Sequence, residues 1–477
     1  MLNVKQNEFE AADYIDEIKI NEILKQGKKK NKEEVRKIIE KARKAKGLLP
    51  EELAALLQAE DEELVSLMFE AASEVKEKIY GKRIVFFAPL YVSNYCVNNC
   101  VYCGYRVSNK MIRKKLTMEE LKEEVKVLET LGHKRLALEA GEHLVECPIE
   151  YILKCIDTIY NVKLNNGSIR RINVNIAATT VENYKKLKDA KIGTYILFQE
   201  TYHRDTYKKM HPSGPKSDYD WHALAMDRAM QADIDDVGIG VLFGLYDYKF
   251  EVMSLIYHAI HLENRFGVGP HTISVPRLKP ALNVSIEDFP YLVSDNDFAK
   301  IIAILRLAVP YTGIILSTRE SAVFRDKLIK YGVSQISAGS CTGVGGYQME
   351  RKKREECQNE QQMPQFEVED NRSPDEVLRS VCKSGYLPSY CTACYRKGRT
   401  GDRFMSLAKT GEIQNVCQAN ALLTFKEYLM DYASPETKEI GEKTIREHLE
   451  MIPNENMRAA TLKRLELIEK SKRDLYF

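Results

Sequence analysis

Residues 83–103 read Arg83-Ile-Val-Phe-Phe-Ala-Pro-Leu-Tyr-Val-Ser-Asn-Tyr-Cys96-Val-Asn-Asn-Cys100-Val-Tyr-Cys103. The run 83–92 is rich in β-branched and aromatic residues, which favours a strand. Three cysteines with the spacing CxxxCxxC follow within a few residues. The stretch therefore predicts a strand whose carboxyl end carries a loop of three thiols.

Seven further β-rich runs follow, and amphipathic helices separate them. The helix after the first strand is expected to open with the capping box of Thr117 and Glu120. Strands that alternate with helices imply a parallel sheet with right-handed crossovers. Eight such units fit a closed (β/α)8 TIM-type barrel with its chemistry at the carboxyl ends of the strands, although periodicity alone leaves a doubly wound open sheet as the alternative. The eight runs are 83–92, 134–142, 172–177, 194–202, 236–245, 271–278, 312–320 and 334–341.

The segments on either side of these runs have different patterns. Residues 1–80 combine charge runs with Leu and Ala at helical spacing, which predicts an N-terminal helical extension. We expect the barrel to occupy residues 81–347. Residues 348–477 are expected to form a mostly helical C-terminal domain that binds an auxiliary iron-sulfur cluster, with a helical tail at about 422–476.

Composition excludes several classes of protein. The 477 residues carry 71 Lys+Arg against 69 Asp+Glu, so the net charge of +2 gives no electrostatic case for binding nucleic acid. No apolar stretch reaches the length of a membrane span, and the acidic N-terminus does not resemble a signal peptide. We therefore expect a cytoplasmic protein with no nucleic-acid or membrane partner. In that compartment the 11 cysteines are expected to be thiols or metal ligands.

Cys96, Cys100 and Cys103 can each bind a different iron of a [4Fe-4S] cubane. No fourth cysteine lies close in sequence, so one iron would remain open. A zinc loop is the alternative, but structural zinc favours four protein ligands and paired CxxC motifs.

The motif, with Tyr102 before its last cysteine, resembles the signature of the radical S-adenosylmethionine (SAM) superfamily. The resemblance implies that SAM chelates the open iron and is cleaved by the reduced cluster to a 5′-deoxyadenosyl radical. Further segments resemble the SAM-binding parts of that superfamily, with Ala140, Gly141 and Glu142 at the amine, Glu200 at the ribose and Gly244 closing the strand beside the adenine. His222 could face the SAM carboxylate, but a packed histidine is the expected role.

A second cysteine group, Cys391-Thr-Ala-Cys394 followed by Cys417, lies near the C-terminus. On its chemistry alone this group could hold zinc or a second iron-sulfur cluster. CxxxCxxC combined with a terminal CxxC-x22-C resembles the HydG family of tyrosine lyases, which help mature the FeFe-hydrogenase. The segments 236–247, 269–276 and 316–320 also carry the resemblance, which runs over nearly the whole chain.

This resemblance implies a radical SAM lyase that cleaves the Cα–Cβ bond of L-tyrosine. The products would be para-cresol and dehydroglycine, and a second [4Fe-4S] cluster would convert the latter to carbon monoxide and cyanide on iron for assembly of the hydrogenase H-cluster. Arg319, with Ser317 and Ser321 around it, is the candidate for binding the tyrosine carboxylate through a bidentate fork. The implied partners are L-tyrosine, the other hydrogenase maturation proteins and an electron donor such as ferredoxin or flavodoxin.

His271 begins the sixth predicted strand. The resemblance implies that it ligates an extra, labile iron attached to the C-terminal cluster, a role that suits neutral imidazole. Strand starts lie at the bottom of a barrel. The two clusters would then occupy opposite ends of the barrel, with its interior as a passage for the small intermediate.

Two other functions compete with this one. The tyrosine lyase of thiazole biosynthesis shares the radical chemistry but releases dehydroglycine unchanged, and the terminal CxxC-x22-C argues against it. A non-catalytic iron-sulfur scaffold or carrier would leave Gly141, Glu142 and Arg319 without a purpose.

The glycine-rich segment 339–346 could be an anion-binding nest or an exit loop. The remaining cysteines match no ligand pattern and are expected to be packing residues, namely Cys147, Cys155, Cys341, Cys357 and Cys382.

Overall fold

The computed structural model describes residues 11–356, 364–410 and 413–477. Cys357 lies outside the described residues. Within them, no helix has the length and hydropathy needed to cross a membrane.

The centre of the fold is a closed barrel of eight parallel strands, as predicted. The strands are β1 (Arg83–Ser93), β2 (Arg135–Ala140), β5 (Arg171–Asn175), β6 (Tyr195–Ile196), β7 (Val237–Gly240), β8 (Thr272–Ser274), β9 (Gly313–Leu316) and β10 (Gln335–Ser337), while β3 (Lys163–Leu164) and β4 (Gly167–Ser168) form a separate small hairpin. Pairing of β1 with β10, through Val85 and Gln335, closes the circle and excludes the open-sheet alternative.

Helices cover the outside of this barrel. The helix after β1 begins at the predicted capping box, where Thr117 accepts a hydrogen bond from the Glu120 backbone, and it buries Leu121, Val125 and Leu128 completely. The helices between the strands are α5 (Met118–Thr130), α6 (Ile149–Asn161), α7 (Val181–Asp189), α8 (Arg204–Met210), α9 (Tyr219–Ala223), α10 (Ala225–Gln231), α11 (Tyr248–Phe266), α12 (Asp295–Ala308) and α13 (Ala322–Tyr331).

Helices also fill the predicted N-terminal extension. They are α1 (Glu17–Gly27), α2 (Lys32–Ala42), α3 (Pro50–Gln58) and α4 (Glu62–Tyr80). Asp16 and Asn31 cap the first two by accepting backbone hydrogen bonds. The buried ammonium group of Lys300 in α12 donates to the Leu57 carbonyl at 3.0 Å, which ties this extension to the barrel wall.

The C-terminal part adds helices and one unpredicted strand to the barrel. The helices are α14 (Gly346–Glu356), α15 (Pro374–Lys383), α16 (Ala393–Arg396), α17 (Gly401–Thr410), α18 (Ile413–Asp431), α19 (Pro435–Glu450) and α20 (Glu455–Glu469). The strand, β11 (Leu387–Ser389), pairs in parallel with the first residues of β1. This pairing places Cys391 at the end of the barrel where the amino ends of the strands lie. The division into three domains stays a prediction.

Candidate functional site

The larger internal cavity, of about 220 Å³, opens among the carboxyl ends of the barrel strands. It gathers most of the residues predicted for the N-terminal site. Those that line it are Cys96, Cys100, Cys103, Tyr102, Ala140, Gly141, Glu142, Glu200, His222, Ser317 and Arg319.

The Arg113 side chain holds the cysteine loop through hydrogen bonds to backbone carbonyls. Arg113 donates to the carbonyls of Asn94 and Tyr105, both at 2.7 Å, and so joins the chain before the cysteines to the chain after them. Burial raises the pKa of the Cys100 thiol to about 12 and that of Cys103 to about 11. Both groups are therefore neutral thiols at pH 7 unless a metal binds and stabilises their thiolates.

The donors around these sulfurs fit a cluster. The Tyr105 backbone N–H lies 3.4 Å from the Cys103 sulfur, and the Gln365 side-chain amide lies 3.8 Å from it. The Asn98 amide lies 3.8 Å from the Cys96 sulfur. Hydrogen bonds of this kind stabilise the negative charge on cluster sulfurs.

The end of β2 lies against this loop. The Gly141 N–H donates to the Ser93 carbonyl at 3.0 Å. A Cβ atom at Gly141 would lie 2.3 Å from the Tyr95 carbonyl oxygen, so only glycine permits the approach. The Glu142 carboxylate accepts from Asn98 at 2.6 Å, and burial raises the pKa of this carboxyl.

Glu200 has an unusual backbone and a cationic partner. Its φ of +69° lies in the left-handed region, which non-glycine residues rarely adopt. Its carboxylate pairs with Lys216 at 2.8 Å. Burial opposes the charge on Lys216, but the Glu200 carboxylate outweighs it, and the lysine pKa is raised.

Arg319 presents a cation to the cavity. The described residues provide no carboxylate within ion-pair distance of it, and its guanidinium lies 3.3 Å from the centre of the Phe366 ring. Glu139 faces the same space, and burial raises the pKa of its carboxyl to about 8. The cavity therefore offers an unpaired donor fork in a space that the carboxyl groups of Glu139, Glu142 and Glu200 also line.

Two predicted positions differ from this arrangement, whereas His222 has its expected role. Ser321 is exposed before the first residue of α13 and does not line the cavity, because the chain has already left the barrel mouth. Gly244 also lies outside it, since β7 ends at Gly240 and Gly244 packs against Leu278 with a φ of +121°. The His222 ring is hydrogen-bonded to the Phe198 carbonyl at 2.8 Å, which is the expected packed role.

The sequence interpretation did not single out Lys216, Glu139, Asn98 or Phe366. Lys216 lies in the connection between α8 and α9, and Phe366 belongs to the irregular segment after the barrel. No helical or strand periodicity in the sequence therefore pointed to either residue. Asn98 lies within the cysteine motif 96–103, and Glu139 directly precedes Ala140, Gly141 and Glu142. The amide of Asn98 and the carboxyl group of Glu139 were the signals that could have identified them as site residues. Ser340 and Thr342 of the glycine-rich segment also line the cavity.

A second cavity, of about 80 Å³, lies at the amino ends of the strands. Cys391, Cys394, Cys417 and His271 all line it, so the structure brings the second predicted group together. Neighbouring side chains from the barrel are Arg83, Arg135 and Asp236.

Unpaired arginine nitrogens surround these cysteines. Nε and Nη2 of Arg83, Nε of Arg135 and Nε of Arg399 are buried and have no hydrogen-bond partner among the described residues. Buried donor nitrogens without partners are costly, and a negatively charged thiolate-bound cluster would satisfy them. The pKa of Cys417 is lowered by its hydrogen bond with Cys394 and, against burial, by the charges of Arg83 and Arg399.

His271 lies beside the second cysteine group, and its environment favours the neutral ring. Burial lowers its pKa, although the Asp236 carboxylate 3.7 Å from Nδ1 opposes this shift. Its Nε2 lies 3.3 Å from the Tyr395 hydroxyl. The neutral ring is the form that binds iron.

Within the described ranges, no three histidine, cysteine or carboxylate side chains converge as they would around a single metal ion. Cys155, Cys341 and Cys382 are buried away from both groups, whereas Cys147 is half-buried.

The two cavities are adjacent inside the barrel. Consecutive inward positions of one strand line different cavities, because side chains alternate along a strand. The pairs that show this are Val85 and Phe87 in β1, Arg135 and Ala137 in β2, and Gln335 and Ser337 in β10. No inward-facing position lies between the members of each pair.

Comparisons with known proteins agree with this geometry. The model of the Radical SAM superfamily matches residues 90–255, and that of the Biotin and Thiamin Synthesis associated domain matches residues 274–387. A crystal structure of HydG, a maturase of the [FeFe]-hydrogenase, is 64% identical with a TM-score of 0.94, over 98% of this chain and 100% of that chain. HydG from Carboxydothermus hydrogenoformans is 42% identical with a TM-score of 0.81, over 94% of this chain and 97% of that one. The 2-iminoacetate synthase of Salmonella typhimurium is 29% identical over 73% of this chain and 89% of its own length.

Proposed function

Because the chain belongs to the HydG family of FeFe-hydrogenase maturases and carries a radical SAM domain, we propose that it cleaves L-tyrosine at the Cα–Cβ bond. The products are para-cresol and dehydroglycine, and the latter is converted to carbon monoxide and cyanide on iron. The observation that carries the proposal is the pair of adjacent cavities, each lined by three cysteines, at opposite ends of one barrel.

Cys96, Cys100 and Cys103 would hold the first cluster, with SAM on its open iron. When bound, this group supplies the 5′-deoxyadenosyl radical that abstracts hydrogen from the substrate amine. Glu142 and the backbone at Gly141 bind the SAM amine, and Glu200, fixed by Lys216, accepts the ribose hydroxyls. The barrel wall excludes water and stray C–H groups from the radical.

Arg319 binds the tyrosine carboxylate in this proposal. Its guanidinium is unpaired and held against Phe366, so its fork is free for two parallel hydrogen bonds. Glu139 faces the same space and accepts a hydrogen bond from the substrate amine. Ser317 also lines the cavity and supplies a further donor, whereas Ser321 has no part in binding.

Cys391, Cys394 and Cys417 would hold the second cluster, and His271 would ligate an extra iron beside it. When bound, this group supplies the iron on which dehydroglycine is converted. The unpaired nitrogens of Arg83, Arg135 and Arg399 balance its charge. The intermediate has a short path in this proposal, because consecutive inward positions of the same strands line the two cavities.

The similarity to 2-iminoacetate synthase supports the first half of the reaction, since 2-iminoacetate is dehydroglycine. The second cavity supports the second half. A thiazole-type lyase that releases dehydroglycine unchanged would leave the second cavity without a role. A scaffold without catalysis would leave Gly141, Glu142 and Arg319 without one.

Anaerobic iron and sulfide analysis with electron paramagnetic resonance tests the proposal. We expect signals from two clusters, of which only one changes when SAM is added. Zinc in place of iron at the second group, or no response to SAM, would contradict the proposal.

Replacing Arg319 is expected to separate substrate binding from SAM binding. Arg319→Ala removes a charge-assisted fork and should weaken tyrosine binding by about 1.5–3 kcal/mol. Titration calorimetry with tyrosine and with SAM measures the loss of affinity for each ligand. Ser321→Ala is the matched control and should bind both normally, while an equal loss of tyrosine and SAM affinity in Arg319→Ala would make the arginine structural.

The close approach of Gly141 to the cysteine loop predicts that a larger residue at this position weakens SAM binding. In Gly141→Ala the new Cβ would meet the Tyr95 carbonyl oxygen at 2.3 Å, so β2 and the loop must move apart. We expect SAM affinity to fall by about tenfold or more, for an overpacking cost of roughly 1–3 kcal/mol. Gly269→Ala, whose Cβ meets nothing closer than 3.6 Å, is the control. Unchanged SAM affinity in Gly141→Ala would remove this strand end from the SAM site.

A further inference from the structure

The proposed chemistry consumes one electron for each SAM cleavage, and neither L-tyrosine nor SAM supplies it. An external carrier must therefore approach the first cysteine group. In this step one electron leaves the carrier and reduces one ferric iron of the cluster, without transfer of a proton or a chemical group. The inference below concerns where the carrier docks, and it rests on the proposed function.

Two neighbouring loops beside that cysteine group expose large apolar side chains. Ile112, in the loop that follows Cys103, is 82% exposed, and Leu144 and Val145, in the loop that follows β2, are 84% and 78% exposed. An ion pair of 3.2 Å between Lys115 and Glu146 joins the two loops. Exposed apolar side chains in one place mark an interaction surface.

The same face carries uncompensated positive charge. Residues 104–115 contain five basic residues and no acidic one. Lys114 and Lys115 pair with glutamates. Among the described residues, Arg106, Lys110 and Arg113 have no carboxylate partner, and the two arginines bind carbonyl groups instead. Lys110 is exposed and makes none of the described hydrogen bonds.

The surface lies close to the cysteines. A Cβ at Gly141 would lie 3.1 Å from the Cys96 Cβ, and the apolar pair follows three residues later in sequence. The rings of Tyr95 and His143 are in edge contact at 5.9 Å and connect the cysteine loop with the 143–147 loop. An electron delivered to this surface therefore has a short route to the first cluster.

We propose that Lys110, Ile112, Leu144 and Val145 form the docking surface for a small acidic one-electron carrier of the flavodoxin type. Apolar contacts at the centre and a cationic rim complement a partner whose cofactor is exposed within an acidic face. A second copy of this chain is disfavoured, because a symmetric contact would bring two patches of the same positive sign together.

The test uses the full chain with both clusters reconstituted and purified flavodoxin as the probe. The double variant Lys110→Glu with Leu144→Ser is compared with Lys46→Glu with Ile18→Ser, which makes the same changes at exposed positions in the N-terminal extension. We expect the first variant to raise the flavodoxin dissociation constant about tenfold or more, and increasing salt to shrink the difference. The control should bind flavodoxin normally.

A second arm separates docking from chemistry. Dithionite, which needs no docking surface, should support 5′-deoxyadenosine formation equally in all three proteins, whereas reduced flavodoxin should support it poorly in the first variant alone. Unchanged flavodoxin binding in that variant would overturn the docking proposal. No 5′-deoxyadenosine from the unmodified chain with dithionite would instead overturn the proposed function.

Discussion

Replacing Cys96, Cys100 and Cys103 with Ala is expected to abolish both 5′-deoxyadenosine formation and tyrosine consumption. The three thiols lie on one loop held by Arg113, and no other cysteine among the described residues lines the larger cavity. Without them nothing remains to bind the cluster or SAM. Product analysis by chromatography should therefore show a loss to the uncatalysed level.

The half-buried Cys147 provides the matched control, since it lies in the neighbouring loop but does not line the cavity. Cys147→Ala should keep both products. Continued 5′-deoxyadenosine formation by the triple variant would exclude this loop as the radical source.

Replacing Cys391 and Cys394 with Ser is expected to split the reaction into its halves. Cleavage of tyrosine needs only the first cavity, so para-cresol should still form. Carbon monoxide should be lost and cyanide strongly reduced, because no iron remains at the second cavity to convert dehydroglycine. Carbon monoxide is trapped with a haem protein while para-cresol is measured by chromatography.

Cys382, buried between α15 and its neighbours in the same part of the chain, is the control for this pair, and Cys382→Ser should yield both products. Undiminished carbon monoxide from the double variant would make the C-terminal cysteines structural and restore the zinc interpretation. Loss of para-cresol as well would assign them a role in folding.

Much of the barrel could be predicted because its signals are local. Each predicted β-rich run contains or overlaps one strand, although most strands are shorter than their runs. The run 194–202, for example, contains only the strand Tyr195–Ile196, since its later residues leave the sheet to form the site around Glu200. Strand β11 was missed, because its three residues join β1 through a contact across about 300 positions of sequence.

The candidate site was predictable where residue type and spacing carry chemistry, as with the cysteines and Glu142. It was not predictable where position depends on tertiary packing. Lys216 reaches Glu200 from a loop, and Phe366 reaches Arg319 from beyond the last barrel strand. Conversely, Ser321 was chosen by its proximity to Arg319 in sequence and Gly244 by a resemblance to the strand beside the adenine. Turns at the ends of their strands carry both residues outside the cavity.

The central claim is that one chain both cleaves tyrosine and converts its glycine half to diatomic ligands. Anaerobic incubation of the reconstituted chain with SAM, reductant and tyrosine labelled with ¹³C in its carboxyl group tests it most directly. We expect para-cresol together with labelled carbon monoxide on the haem trap. Para-cresol with labelled dehydroglycine or its hydrolysis product glyoxylate, and no labelled carbon monoxide, would contradict the claim.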